Sequence, residues 1–242
     1  MKKFDDTEDR MIEKQLPSAE MYEKALTYWS LRLCHQFVLN KITELAPRNG
    51  CLLDMMCGPG KLLGRIARAR PDLRLVGVDI DEQYINYGRL TYPQVTFQVG
   101  NVLSWSPPTT IDMVICTGAL HHVPYDIQEI AISNIGSFIA EGKIAIISDC
   151  YIDNFTNETE RKIAATKMGA EYLLATIRNG APDEILDSLV DILWNDLFGM
   201  EYKTSLLKRL PIFKRYFSKI QTTKTWPAEE TEYGEYTHIC FR

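Results

Sequence analysis

Short apolar segments alternate with amphipathic segments along residues 51–150, and this alternation constrains the fold more than any other feature. The apolar segments predict strands over residues 51–56, 73–80, 95–100, 111–118 and 143–150. The amphipathic segments between them predict helices over residues 61–69, 81–91 and 126–140. Nearly continuous apolar strands are typical of a parallel sheet that is covered by helices on both faces. The expected fold class is therefore α/β, with three layers.

The chain on either side of this region has a different pattern. Residues 9–45 show helical spacing of apolar side chains, with a helix start at Pro17-Ser18. The segment 151–217 has no strand pattern and predicts helices over 154–179, 182–198 and 203–217, the last with Pro211 as a kink or a boundary. Residues 218–226 and 236–242 predict two strands that pair as an antiparallel hairpin at the end of the sheet. We expect a seven-stranded, mostly parallel sheet with an antiparallel last strand.

Charge and composition argue against several classes of function. The 242 residues carry a net charge of -5, with acidic and basic residues interleaved. Proteins that bind a nucleic-acid backbone usually have a basic surplus, so nucleic acid is not an expected partner. No run of apolar residues is long enough to predict a membrane-spanning helix, and the N-terminal segment lacks the apolar core of a signal peptide. We expect a cytoplasmic protein that does not bind a membrane.

Six cysteines are spread over the chain, at positions 34, 51, 57, 116, 150 and 240. None forms a C-x-x-C pair, and their spacings match no zinc site, so no metal site is expected. Three of them lie in or beside predicted strands: Cys51, Cys116 and Cys150. We expect buried free thiols.

A glycine-rich turn follows the first predicted strand, in the sequence Asp54-Met-Met-Cys-Gly-Pro-Gly60. Such a turn lets the backbone approach a ligand and directs the amide groups of the next helix toward it. Asp79 ends the second predicted strand, nineteen residues after Gly60. A carboxylate at that position in doubly wound folds binds the two hydroxyl groups of a ribose. The pair predicts a cofactor that contains a nucleoside.

Four motifs together resemble those of the class I S-adenosylmethionine-dependent methyltransferases. They are LLDMMCGPGKLLGRIA, VGVDID, VGNVLSW and IDMVICTGALHHV, each at the end of its predicted strand. The resemblance covers residues 48–150 and 218–242. It implies a Rossmann-like sandwich with S-adenosylmethionine as the cofactor. It also implies an N-terminal helical lid over residues 1–46 and a cofactor-binding domain over 47–242, with 151–217 as a helical cap insertion.

The resemblance also implies positions for the cofactor-binding residues. The glycine turn lies beside the methionine moiety, Asp79 holds the ribose, and Ile80 lies against the adenine. Asn101 and the Val102 amide contact the adenine edge, and the Cys116 carbonyl faces the amino group of the cofactor. Tyr28 and Tyr22 close over its carboxylate, with packing in the core of an amphipathic helix face as the alternative role for both. Turn residues implied in cofactor binding are Asp54, Met56, Cys57, Gly58 and Gly60.

Two residues depart from the usual pattern of this family. Met56 stands where glycine is usual, so a bulky side chain enters the tightest part of the turn. Asn101 replaces the commoner aspartate, although its amide oxygen can accept the same hydrogen bond.

Other functions use some of the same residues. Gly58, Gly60 and Gly64 also fit a nicotinamide dinucleotide pattern, but the His-His-Val segment and the terminal hairpin favour the methyltransferase. A second alternative binds S-adenosylmethionine but catalyses a cyclisation or rearrangement without methyl transfer. A third is a binding or scaffolding protein in which Met56 blocks the pocket.

Candidate catalytic residues follow the fourth and fifth strands. His121 and His122 come just after the fourth strand, near the methyl group of the cofactor in this fold, and Asp149 lies at the end of the fifth. Histidine is the natural base for an acceptor that must lose a proton, and in this fold His121 also borders the cofactor. A backbone contact or a helix cap is the alternative role for either histidine, and exposure to solvent is the alternative for Asp149.

The segment 151–217 predicts either a lid over the acceptor pocket or a homodimer interface. The acceptor is expected to be a small molecule, with specialised metabolites among the candidates, methylated on O, N or C. Apolar side chains predicted to line its pocket are Met168, Tyr172, Leu173, Trp194 and Phe198.

Overall fold

A seven-stranded sheet forms the centre of the protein, in a computed structural model that describes residues 17–198 and 201–242. The strand order is β3-β2-β1-β4-β5-β7-β6, and β7 runs antiparallel to both of its neighbours, whereas the other pairs are parallel. The strands are β1 (Cys51–Met55), β2 (Arg74–Asp79), β3 (Thr96–Val99), β4 (Ile111–Thr117), β5 (Ile139–Tyr151), β6 (Lys219–Trp226) and β7 (Gly234–Phe241). The predicted fold class and the terminal hairpin are confirmed.

Eight α-helices are found among the described residues, and five of them cover the two faces of the sheet. Leu52 and Leu53 of β1 mark the two faces, because successive side chains of a strand point to opposite sides of the sheet. These two leucines belong to different core clusters. On the Leu52 side pack α2 (Leu31–Leu45), α3 (Lys61–Ala69) and α4 (Glu82–Thr91), and on the Leu53 side pack α5 (Gln128–Ser137) and α8 (Leu206–Tyr216). The result is a three-layer sandwich.

The remaining three helices lie beyond one end of the sheet: α1 (Ala19–Ala25), α6 (Glu158–Arg178) and α7 (Asp183–Phe198). Leu26, which caps α1, packs with Ile185 and Leu189 of α7 in a separate apolar cluster. Gly169 lets α6 and α7 approach closely, since a Cβ there would lie 2.0 Å from the Leu193 side chain. We call these three helices the lid.

The lid therefore combines parts of both predicted helical segments. From the segment 1–46 it takes α1, while α2 packs against the sheet; residues 1–16 lie outside the described part of the chain. From the segment 151–217 it takes α6 and α7, while α8 joins the sheet layer through Phe213. Pro211 lies inside α8 rather than at its boundary.

Local sequence explains where several of these helices begin. Ser18, Asp81, Asn157 and Ser205 each accept a backbone N–H of the following turn, which satisfies amides that have no partner within the helix. The six cysteines are free thiols. Among the described residues, no helix has the length and apolar character needed to span a membrane.

Candidate active site

A cavity of about 500 Å³ lies between the carboxyl ends of the parallel strands and the lid. Asp54, Asp79, Thr117 and Asp149 reach it from four strands of the sheet. The lid contributes Tyr22, Met168, Tyr172, Leu189 and Ile192. The crevice at the carboxyl ends of the strands is where open α/β sheets bind their ligands.

The glycine-rich turn between β1 and α3 forms one wall of this cavity. Met56, Gly58 and Gly60 all have positive φ, at 64°, 55° and 93°. At Gly60 a Cβ would lie 2.5 Å from the Phe97 ring, so this glycine allows the helix to pack on β3. Gly58 has no atom closer than 4.0 Å to such a Cβ and borders the cavity with Met56 and Cys57. The turn is thus shaped partly for packing and partly for ligand access.

Two acidic residues line the cavity beside the turn. Asp79 accepts backbone N–H groups from Gly58 at 2.8 Å and from Asp81 at 2.9 Å. Asp54 is only 1% exposed, and its Oδ1 has no hydrogen-bond partner among the described residues. Burial raises the pKa of both carboxyl groups, and Asp79 adds to the effect on Asp54. Such groups suit a ligand that brings hydrogen-bond donors or positive charge.

The other implied cofactor residues are placed differently. Ile80 lines the cavity and is 65% exposed, as an apolar surface for a ring requires. Asn101 accepts the Leu103 amide through its Oδ1 at 2.9 Å. Of the two tyrosines predicted near the cofactor carboxylate, Tyr22 borders the cavity and Tyr28 does not. The cavity lining also lacks Asn101, Val102, Cys116 and Gly60.

The two histidines lie in a short 3-10 helix, Leu120–His122, directly after β4. The Nδ1 of His121 is 2.5 Å from Asp149 Oδ1 and 3.4 Å from Cys150 Sγ. Its Nε2 is 3.3 Å from Glu201 Oε2, and the Nδ1 of His122 is 2.9 Å from the same oxygen. The structure thus brings all three predicted catalytic residues to one side of the cavity.

The electrostatics of the His121–Asp149 pair favour an ion pair. Burial opposes a charge on His121, but the Cys150 sulfur and the carboxylates of Asp149 and Glu201 outweigh it and raise the pKa of His121 well above its ordinary value. Burial likewise opposes the charge on Asp149, but His121 and Arg209 outweigh it and lower the pKa of Asp149. His121 therefore holds its proton firmly in this state.

Two groups of side chains here have ligand atoms of the kind that bind metal ions, and within each group these atoms lie within 4.8 Å of one another. The first group is His121, Asp149 and Cys150, and the second is His121, His122 and Glu201. Hydrogen bonds connect the members of both groups. Their closeness is therefore explained without an ion.

The cavity lining also contains charged residues that were not predicted from the sequence. Asp196, Glu201, Lys203 and Glu235 all line the cavity and are at most 7% exposed. For Glu235 the only local signal was its position at the start of strand β7. Of the predicted apolar lining residues, Met168 and Tyr172 border the cavity, whereas Leu173 packs within the lid and Trp194 and Phe198 are about half exposed.

Comparison with known proteins agrees with this architecture. Residues 52–142 match a family described as "Methyltransferase domain". Over residues 52–142 the chain is therefore similar to methyltransferase domains. The resemblance found in the sequence motifs is confirmed, and S-adenosylmethionine is the cofactor that such a domain implies. The residues around the turn fit it, since Asp54 borders the cavity and its Oδ1 has no hydrogen-bond partner among the described residues.

The relatives share only part of their length with this chain. Trans-aconitate 2-methyltransferase from Afipia carboxidovorans is 30% identical over 87 residues, which is 36% of this chain and 33% of the relative. The enzyme of the same name from Methylobacterium radiotolerans is 24% identical over 57% of this chain and 51% of its own length. The chain thus spans about a third to a half of these relatives.

Solved structures support the fold alone, because their sequence identities are low. N-methyltransferase NodS from Bradyrhizobium japonicum aligns with a TM-score of 0.57 at 13% identity, over 87% of this chain and 95% of that one. Magnesium protoporphyrin IX methyltransferase from Synechocystis, solved with S-adenosylhomocysteine, aligns with a TM-score of 0.55 at 19% identity. The alignment covers 88% of this chain and 85% of that one.

Proposed function

We propose that this protein is an S-adenosylmethionine-dependent methyltransferase that acts on a small molecule enclosed beneath the lid. The observation that carries the proposal is one continuous cavity. It joins the glycine turn and Asp79 at one end to the His121–Asp149 pair at the other. A cofactor and an acceptor that share this cavity meet where the predicted catalytic residues lie.

The cofactor end would be held by residues of the first two strands. Asp79 would bind the ribose hydroxyls, Ile80 would lie against the adenine, and the turn at Gly58 would face the methionine part. Asp54 would satisfy its free oxygen with the positive charge of that part. Asn101, Val102, Cys116 and Tyr28 remain proposed contacts, for which a small closure around the ligand would be needed because they lie outside the cavity lining.

Bound S-adenosylmethionine supplies a methyl group that its sulfonium already activates. The protein's main task is then to align the acceptor and to keep water away. Leu189 and Ile192 of α7, together with Met168 of α6, give the cavity an apolar roof that serves both purposes.

His121 is the proposed proton acceptor, and Asp149 the residue that orients it. The bond of 2.5 Å fixes the imidazole so that its Nε2 is directed away from Asp149. Because its pKa is raised, His121 must first lose a proton before it can accept one from the acceptor. Binding of positive charge in the same cavity makes that loss easier. His122, whose Nδ1 is 2.9 Å from Glu201 Oε2, is proposed as a weaker second candidate.

A small acceptor is proposed because α1, α6 and α7 close the cavity on the side opposite the sheet. The curated relatives carry the name trans-aconitate 2-methyltransferase, so small acids are one class to examine. Specialised metabolites are another. The outer side of the insertion, where Trp194 and Phe198 are exposed, is the proposed position for a homodimer contact.

Calorimetric titration tests the proposal directly. We expect S-adenosylmethionine to bind and NADPH, the parallel control, not to bind. With an acceptor mixture, release of S-adenosylhomocysteine distinguishes methyl transfer from a cyclisation or rearrangement that leaves the cofactor intact. Absence of S-adenosylmethionine binding contradicts the proposal and makes Met56 the first residue to examine.

A further inference from the structure

Glu235 is a buried carboxylate that the proposed reaction leaves without a role. It lies in β7, is 4% exposed and borders the cavity. Its Oε2 has no hydrogen-bond partner among the described residues. Burying a carboxylate is costly unless it is paired, so a group of this kind facing a cavity indicates a ligand that pairs with it.

The position of Glu235 places it beside the proposed proton acceptor. Glu235 is the cross-strand partner of Cys150 in the β5–β7 ladder, and the Cys150 Sγ is 3.4 Å from His121 Nδ1. The neighbouring Asp149 also has one oxygen, Oδ2, without a partner among the described residues. Two free carboxylate oxygens therefore lie around His121.

The positive groups in this part of the cavity are already engaged. Lys203 is paired with Asp196, and His121 with Asp149. The whole cavity is lined by seven carboxyl groups and two lysines. Three of the carboxyl groups, Asp54, Asp79 and Asp81, lie at the cofactor end. The acceptor end thus has more carboxyl groups than positive groups, and Glu235 forms no ion pair among the described residues.

We propose that the acceptor is an amine, bound as an ammonium ion by Glu235 and by the free oxygen of Asp149. This inference rests on the proposed function and adds the acceptor class to it. His121 first releases its own proton to solvent, because the incoming positive charge lowers its proton affinity. The ammonium nitrogen then passes one proton to the neutral imidazole, which leaves a lone pair on nitrogen and restores the imidazolium. Glu235 keeps a hydrogen bond to a remaining N–H and holds the nitrogen in place.

The electrostatics agree with this assignment. Burial, with the nearby Asp149 charge, raises the pKa of Glu235 to about 8. An arriving cation therefore finds a carboxyl group that becomes ionised in its presence. A tricarboxylate acceptor would instead face Glu235, Asp149 and Glu201, and the positive groups at this end, Lys203 and His121, are already paired.

The test compares matched probes on protein saturated with S-adenosylhomocysteine. 2-Phenylethylamine, 2-phenylethanol and 3-phenylpropionate differ in charge but little in size, and butylamine and butyrate form a smaller pair. Binding is measured by calorimetry. We expect each amine to bind at least about tenfold more tightly than its carboxylate, as for the loss of a hydrogen bond to a charged group. Equal or tighter binding of the carboxylates, or no binding of either amine, overturns the inference.

Variants then assign the preference to one residue. Glu235→Gln should reduce the ratio of amine to carboxylate affinity about tenfold and leave S-adenosylhomocysteine affinity unchanged. Glu230→Gln, an exposed neighbour in the β6–β7 loop, is the matched control and should change neither. An unchanged ratio in Glu235→Gln, or an equal loss of cofactor affinity, overturns the role given to Glu235.

The result is separable from the proposed function. If S-adenosylhomocysteine does not bind, the proposed function fails, while the amine and carboxylate comparison is still decided on the free protein. If Glu235→Gln does not fold, the comparison of probes on the unmodified protein decides alone.

Discussion

The two ends of the cavity are built in different ways. The cofactor end consists of strand ends and turns that are close in sequence, and backbone groups make many of its contacts, as when the Gly58 amide meets Asp79. The acceptor end combines side chains from distant segments, such as His121, Asp149, Glu201 and Glu235, which no motif connects.

The difference also concerns charge. At the cofactor end, the carboxyl groups remain open to a ligand. At the acceptor end, buried ions are paired across elements, as between Lys203 and Asp196. A buried ion pair is sensitive to the loss of either member, because the remaining charge is then uncompensated. We infer that the cofactor end carries the chemistry shared by methyltransferases and that the acceptor end determines which acceptor binds.

Removing the imidazole of His121 should have the largest effect. We expect His121→Asn to lower kcat about 100- to 10,000-fold, the range for loss of a general base, with little change in cofactor affinity. Steady-state release of S-adenosylhomocysteine and a binding titration measure the two quantities. His122→Asn is the matched control, and a similar fall in kcat for both variants would contradict the assignment to His121.

The pH profile of the unmodified protein sharpens the same prediction. Because the pKa of His121 is raised, the proton acceptor is protonated and inactive at low pH. The rate should rise with pH, with a midpoint above the ordinary histidine value of about 6.5. A midpoint at or below that value contradicts the ion pair with Asp149.

Core truncations compare the stability of the sheet with that of the lid. Leu63 of α3 is fully buried against the sheet, and Leu189 of α7 is 3% exposed between α7 and α1. Each leucine-to-alanine change should cost about 2–5 kcal/mol of local stability. Hydrogen exchange followed by mass spectrometry should show Leu63→Ala loosening the whole chain and Leu189→Ala loosening mainly α6 and α7. Equal exchange throughout in both variants would show that the lid and sheet unfold together.

Sequence predicted the sheet well because its signals are local. Each of these signals depends on neighbours along the chain, as in an apolar strand, a glycine turn or a helix cap. Strand β1 and the turn at Gly58 could therefore be predicted from the sequence alone. The terminal hairpin followed from the closeness of β6 and β7 in sequence.

The lid and acceptor end were predicted less fully, for a physical reason. Helical spacing shows that α2 and α8 are amphipathic but not what they cover. Both pack on the sheet, and the N-terminal part of α2 also lines the cavity with Leu31, Cys34 and His35. Glu235 and Lys203 gain their role only from burial beside residues far along the chain.

Asp79→Asn should weaken the cofactor end by a smaller amount. The change keeps one acceptor oxygen but removes the charge, so we expect S-adenosylhomocysteine affinity to fall about 10- to 100-fold, as for the loss of charged hydrogen bonds. Calorimetry measures the affinity, with the exposed Asp126→Asn as the control. An unchanged affinity would mean that Asp79 only organises the turn through the Gly58 and Asp81 amides.

Met56→Gly should have the smallest effect. Met56 has φ of 64°, which costs a residue with a side chain about 1–2 kcal/mol, but its side chain also packs against the main core cluster. Glycine removes the backbone strain but also loses the side-chain packing. We therefore expect the cofactor affinity of Met56→Gly to stay within about threefold of that of the unmodified protein. Met56→Leu keeps the backbone strain and most of the packing, and is the matched control. A gain of about tenfold or more in Met56→Gly alone would mean that the methionine side chain blocks the cofactor, and the acceptor end would then not be the main source of specificity.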